Sequence, residues 1–249
     1  MRSTRIWLAT AIGFMGIFPA AFAGCEANKM KASEVFKDRA TIEMADAAQA
    51  GDAARVQAAA REGGDPNAQG KDQITPLLYV MGSSVNKRGL AALLASGANP
   101  NVPSTGGVTP MSFAARAKDP DLLRMFLKSG GDANLRDEEG LTLIGLAARD
   151  QRWDNVESLL ATGADINALD NSGYTTVMRV ALHQQYDRVA WLLEKGADPK
   201  PVSKIGDSLP RIVLDDPMPQ THPQYRWKQH VIEMLRARGY NMPQPQPHN

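Results

Sequence analysis

Five times along this chain a segment closes on a variant of one phrase: GGDPN at 63–67, GANPN at 97–101, GGDAN at 130–134, GADIN at 163–167 and GADPK at 196–200. The first glycines fall 34, 33, 33 and 33 residues apart. A second series, Thr75, Thr109, Thr142, Thr175 and Ser208, keeps the same spacings. A unit this short cannot bury its own apolar face, so neighbours must stack to build one continuous core. That excludes a single closed sheet or barrel and predicts a solenoid.

The interior of the unit is also fixed. In TPMSFAARAKDPDLLRMFLKSGGDANLRD, 109–137, a threonine opens a short helix that packs Ala114 and Ala115. A polar turn follows, and a second helix carries Leu122, Leu123, Phe126 and Leu127 before glycine, tolerant of positive φ, ends it. The pairs Leu93-Leu94, Leu159-Leu160 and Leu192-Leu193 are the expected core, with Trp153, Tyr186 and Trp191 packed among them.

The period, the Thr-Pro pairs at 75–76 and 109–110, the paired alanines at 147–148 and the G-A-D-x-N ending together resemble the ankyrin repeat, a 33-residue helix pair with a β-turn and the signature T-P-L-H-x-A. The resemblance spans about 42–241. It implies an all-α ankyrin-repeat solenoid of about six helix-turn-helix repeats joined by β-turn or hairpin tips. The repeats run at about 41–69, 70–103, 104–136, 137–169, 170–202 and 203–241. The chain departs from the family where the signature histidine is replaced by Leu78, Ser112, Gly145 and Met178, and where its proline is replaced by Leu143 and Thr176.

The ends are irregular, as terminal repeats of a solenoid are. Repeat one is alanine-rich and lacks the threonine at its register; repeat two has one extra residue near 82–85. In repeat six the segment DDPMPQTHPQ, 215–224, delays the second helix, so Gly239 follows Gly196 by 43 residues. An insertion with three prolines reads as a loop that caps the stack or binds something. Residues 25–40 read as a polar tether and 242–249, proline- and glutamine-rich, as a disordered tail.

At the N-terminus Arg2 and Arg5 precede the apolar run 6–18 and the small residues Ala21-Phe22-Ala23, the pattern of a secretory signal peptide over 1–24. This 13-residue run falls short of a membrane span, which needs roughly 20 apolar residues. Two cuts are open: after Ala23, freeing a soluble chain, or before Cys25, the only cysteine, leaving it to carry a lipid. The chain is thus expected in the periplasm, either free or anchored to the outer membrane through Cys25. Loss of 1–24 takes two of the 28 basic residues and none of the 27 acidic ones, leaving a balance of −1. No nucleic-acid or polybasic membrane footprint results, and with no cysteine to pair, stability must come from packing.

Motifs of chemistry are sparse. There is no Gly-rich phosphate loop, no G-x-S-x-G and no H-E-x-x-H. His183, His222, His230 and His248 lack metal-ligand spacing, and neither cofactor nor metal is expected. Asp215 and Asp216, with His222 and His230, form the one region an enzyme could use, and this is kept as an alternative.

The resemblance implies instead a non-catalytic module that binds a protein through hairpin tips and first-helix ends. By register the partner-binding residues are Lys71, Asp72, Ile74, Glu138, Glu139, Leu141, Asn171, Tyr174 and Lys204 at tips, and Arg116, Arg149, Asp150 and His183 at helix ends. Both signs of charge with apolar residues suit a protein partner, and the unbound chain is expected to be a monomer. Exported bacterial ankyrin proteins resemble, among others, antidotes that neutralise secreted antibacterial toxins such as type VI lipases. A periplasmic scaffold for an envelope or oxidative-stress enzyme is the alternative within this class.

Overall fold

The computed structural model describes residues 30–242. Residues 1–29, which hold the segment read as a signal peptide, Cys25 and the start of the expected tether, and residues 243–249 lie outside them. Six helix pairs follow a short helix α1 (Ala32–Val35): α2 (Arg39–Ala50) with α3 (Ala53–Arg61), α4 (Pro76–Ser83) with α5 (Lys87–Ala95), and α6 (Pro110–Arg116) with α7 (Pro120–Lys128). Then come α8 (Leu143–Arg149) with α9 (Trp153–Ala161), α10 (Thr176–Leu182) with α11 (Tyr186–Glu194), and α12 (Leu209–Asp215) with α13 (Tyr225–Ala237). First helices pack on first helices of the next repeat and second on second, giving a solenoid with one core running its length. Among the described residues no strand forms; hairpin tips are marked only by the isolated bridges Arg136 to Thr142 and Val202 to Ser208.

Each threonine of the repeat sits at the N-cap of a first helix. Thr75, Thr109, Thr142 and Thr175 accept a bond from the backbone N–H three residues on, at 3.3, 2.9, 3.1 and 3.4 Å. This satisfies one of the donors a helix start leaves open. The glycines that end second helices have φ of 93, 86, 89 and 99° at Gly97, Gly130, Gly163 and Gly196, with nothing within 4 Å of an added Cβ. Backbone conformation, not crowding, requires glycine there.

The closing asparagine couples one repeat to the next. Asn67 donates to the Gly97 carbonyl at 2.9 Å and accepts from the Asn99 amide at 2.6 Å. Asn101 repeats this with Gly130 and Asp132 (2.9, 2.8 Å), Asn134 with Gly163 and Asp165 (3.3, 2.8 Å), and Asn167 with Gly196 and Asp198 (3.5, 2.7 Å). Among the described residues no asparagine rung precedes the first, and the buried Thr41 hydroxyl accepts from the Asp65 amide instead. Above the last rung Lys200 stands where an asparagine would be.

Two expectations about the ends are corrected. The segment read as a tether is folded from Met30 onward: Ala32, Val35 and Phe36 are buried, Phe36 meets Tyr79 edge-on at 6.0 Å, and the Tyr79 hydroxyl donates to the Met30 carbonyl at 3.0 Å. Ala32 and Val35 share one face of α1, and Phe36, extended just after it, adds its ring to the same cover over the first repeat. At the other end Met242, read as tail, is buried, and its carbonyl accepts from Arg236 Nε at 2.7 Å.

The 215–224 insertion is a strap, not a loose loop. Asp216 accepts from the Tyr186 hydroxyl and from Gln184 Nε2, both at 2.7 Å, and its backbone carbonyl accepts from Lys228 Nζ. Gln224 Oε1 accepts from the Asp187 amide at 3.0 Å, and Met218 is buried. The strap therefore binds the turn of repeat five and closes the stack. Tyr186 is fully buried as expected, and Trp153 is half-buried, edge-on to Trp191 at 6.2 Å with Arg188 over its ring.

Breaking a middle rung should cost more than adding one at the end. Asn101→Ala loses two inter-repeat bonds and should lower stability in urea unfolding by about 1–2 kcal/mol, while Lys200→Asn should stay within about 0.5 kcal/mol of the parent; equal effects would contradict the ladder.

The strap predicts a pH signature. Burial, reinforced by Asp216, holds the Tyr186 phenol protonated well above the ordinary tyrosine range. The unfolded phenol ionises near pH 10 while the folded one does not, so above that pH stability falls by about 1.4 kcal/mol per pH unit from this group. Lys228 has the opposite sign: burial lowers its pKa, so its penalty fades as pH rises towards 10.5. Tyr186→Phe should flatten the alkaline loss of stability measured between pH 10 and 11, and an unchanged slope would remove the phenol from the account.

Candidate functional site

Because the first helices and the tips repeat at 33 residues, their exposed residues form one continuous face. Along it the structure opens a recess of about 300 Å³ between repeats four and five. Glu139 and Leu141 come from one tip and Tyr174 from the next; Gly145, Ala148 and Arg149 come from α8; Thr176, Arg179, Val180 and His183 come from α10 and its C-cap. Five of the residues expected to bind a partner, Glu139, Leu141, Arg149, Tyr174 and His183, thus meet at one place.

Their roles differ. Glu139, Arg149 and His183 are exposed on the rim, and Leu141 is half-buried in the wall. Tyr174, expected as a tip contact, is instead 7% exposed and structural. Its hydroxyl donates to Asp207 at 2.5 Å in the next repeat, and the Arg179 guanidinium lies 4.2 Å above its ring. Burial, with Asp207 as acceptor, raises its pKa. Register alone could not show this, because the tip folds back over the neighbouring repeat.

The back wall is held by an ion pair that sequence reading missed. Asp170 is buried; one carboxylate oxygen accepts from the Ser172 and Tyr174 amides at 2.8 and 3.0 Å, and the other from Arg179 Nε at 2.8 Å. Such a carboxylate, fully hydrogen-bonded and facing a guanidinium stacked on an aromatic ring, is a rigid element. Beside the recess Arg116 Nε donates to Asp150 at 2.7 Å, and Arg149 lies 3.6 Å from the other Asp150 oxygen. These pairs link the ends of α6 and α8 across the face.

The remaining expected residues lie on the same face but outside the recess. Lys71 and Asp72 are exposed on a turn at the tip of repeat two, where Asp72 has φ 56°, and Ile74 is half-buried behind them. Glu138 and Asn171 are exposed and lie over the preceding tips, against Gly107 and Gly140. Lys204 is exposed in repeat six, its amide donating to the Ser172 carbonyl at 3.0 Å.

The alternative enzyme region is not assembled as one site. Asp216 is consumed by the strap, Asp215 is exposed and meets Arg211 at 3.4 Å, His222 Nδ1 accepts from the Gln224 amide, and His230 rests against Trp227. Among the described residues no group of three or more His, Cys, Asp or Glu is placed to hold a metal ion, and no helix is long and apolar enough to cross a membrane.

Residues 111–202 match the family model described as ankyrin repeats, three copies. No curated protein matches the chain in sequence. Among solved structures, the ankyrin repeat domain of Bcl-3, described as a unique member of the IkappaB protein family, is similar at a TM-score of 0.66 and 22% identity, over 80% of this chain and 86% of that one. At that identity the likeness speaks for the fold alone. Ankyrin repeats suggest a protein-protein interaction module. Residues 111–202 are thus similar to ankyrin repeats, and the chain that contains them folds as an ankyrin-repeat solenoid.

Proposed function

We propose that this chain is an exported, non-catalytic inhibitor: a periplasmic immunity protein that binds a secreted antibacterial toxin, such as a type VI lipase, and covers its active-site entrance or a mobile lid. The recess between repeats four and five carries the reading. It is a formed concavity with a rigid ion-paired wall on the face that ankyrin modules use. The signal-like segment 1–24 supports action outside the cytoplasm. Fold gives only the mode of action; the partner must be found by experiment.

The packed N-terminal segment sharpens the lipid alternative. Cys25 and Met30 are five residues apart, and Met30 is already tied to Tyr79. A lipid on Cys25 would hold the first repeat within about 17 Å of the bilayer, since each residue spans at most about 3.5 Å.

A pull-down from periplasmic extract should recover a secreted enzyme, and a deletion strain should lose survival when it faces kin that deliver it. Charge reversal at Glu139 and Arg149 together should abolish both effects with the helical circular dichroism unchanged. Recovery of no secreted enzyme, with survival unaltered in the deletion strain, would sink the proposal. Radioactive palmitate should label the chain and not its Cys25→Ser variant; an unlabelled chain assigns the cut after Ala23.

A further inference from the structure

The threonines that open first helices spend their hydroxyls on the helix itself: Thr142 and Thr175 accept from the backbone N–H three residues on. Thr176 differs. It is the first residue of α10, is 5% exposed and lines the recess between repeats four and five, and its hydroxyl enters no hydrogen bond among the described residues. The oxygen faces α8, 3.7 Å from the point that a Cβ on Gly145 would occupy. A buried hydroxyl without a partner is unfavourable, and the recess gives a ligand access to this one.

Three more side chains of the lining are uncommitted. Arg149 makes no hydrogen bond among the described residues: its nearest carboxylate is Asp150 at 3.6 Å, which Arg116 already holds at 2.7 Å. His183 and Gln185 enter no side-chain hydrogen bond among the described residues either. Each of these groups can donate. Among the lining side chains left open, Glu139 is the one that only accepts.

The charges at the helix-end half of the recess favour an anion. In the turns 116–121 and 149–154 Asp119 is taken by Lys87 and Asp121 by Arg124, which leaves Arg116, Lys118, Arg149 and Arg152 against Asp150 and Asp154. Inside the recess Asp170 and Arg179 cancel. Glu139 sits on the tip that also carries Arg136, and α8, seven residues and so about 10 Å long, lies between that tip and Arg149. We propose that the recess is a carboxylate subsite of the binding face: an aspartate or glutamate side chain of the partner enters it and accepts from the Arg149 guanidinium and the Thr176 hydroxyl. Leu141, Ala148 and Val180 in the same lining flank its methylene stem, and a recess of about 300 Å³ admits a side chain of that size.

This rests on the protein-binding reading above and adds the chemistry of one contact. A charge-assisted bond in a partly desolvated recess fixes register and partner choice.

The test is selection of a random dodecapeptide phage library on the signal-free chain, 25–249, followed by synthesis of the enriched peptides. They should share an Asp or Glu whose replacement by Asn or Gln weakens binding at least about tenfold. Arg149→Gln should weaken the acidic peptide to the same extent and Thr176→Val at least about threefold, both variants keeping the circular dichroism and thermal midpoint of the unchanged chain. Coupling separates a direct contact from a general loss of surface: on Arg149→Gln the acidic peptide and its amide counterpart should bind equally. Arg149 is partly exposed, so this arm decides even where Thr176→Val disturbs α10. A selection without binders, enriched peptides without a shared carboxylate, an acid-over-amide preference that survives on Arg149→Gln, or full affinity for folded Thr176→Val overturns the subsite. The two readings fail separately. A recovered toxin that binds Arg149→Gln and Thr176→Val at full affinity removes the subsite and leaves the immunity role, while acidic peptides coupled to Arg149 with no toxin recovered remove the immunity role and leave the subsite.

Discussion

One side chain per repeat sets the geometry of this molecule. Each closing asparagine uses its amide as a two-sided clamp, donating to the glycine carbonyl of the next repeat and accepting the amide two residues further on. A clamp of fixed length repeated at a fixed point allows one stacking distance, kept even across repeat two with its one extra residue. The constant stacking distance is what lets short, individually unstable helix pairs share a core. It also puts tips and first-helix ends at regular intervals, so that a surface residue in one repeat has a defined neighbour in the next.

A ladder needs two ends, and both are built from residues that break the repeat. At the start, Thr41 supplies the acceptor that an earlier asparagine would have given, and α1 with Phe36 covers the exposed apolar side of repeat one. At the finish, Lys200 replaces the clamp, and the strap through Asp216 substitutes for a further repeat by tying α13 to the turn before α11. The buried Asp216, Lys228 and Tyr186 cluster is costly to form, since burying charge without full pairing is unfavourable. The Tyr186, Gln184 and Lys228 donors around Asp216 offset that cost and fix the strap in one position.

Most of the fold was legible because the repeat is written in residues whose roles are local. Threonine at an N-cap, glycine at a left-handed C-terminus and a leucine pair in a second helix can each be read within one unit. What escaped depends on contacts between units. The pair of buried Asp170 with partly exposed Arg179 joins residues nine apart on two different elements, and neither belongs to the repeat signature. Tyr174 reads as a tip residue until Asp207 of the following repeat is placed beside it. Residues 32–36 are too few for a periodicity to stand out from a polar stretch, and Phe36 is extended beyond a helix of a single turn. Gly145 was visible as a departure from the family pattern, but its place in the lining of the recess depends on the neighbouring repeat.

The functional account depends on the partner contacting the face that this geometry exposes around repeats four and five, and hydrogen exchange tests that most directly. Exchange should be compared for the free chain and for its complex with the partner recovered from periplasmic extract. Protection confined to 138–149 and 171–183, with the strap at 215–224 unchanged, is the predicted result. Protection centred on the strap or on the second helices, with the recess unaffected, would contradict it.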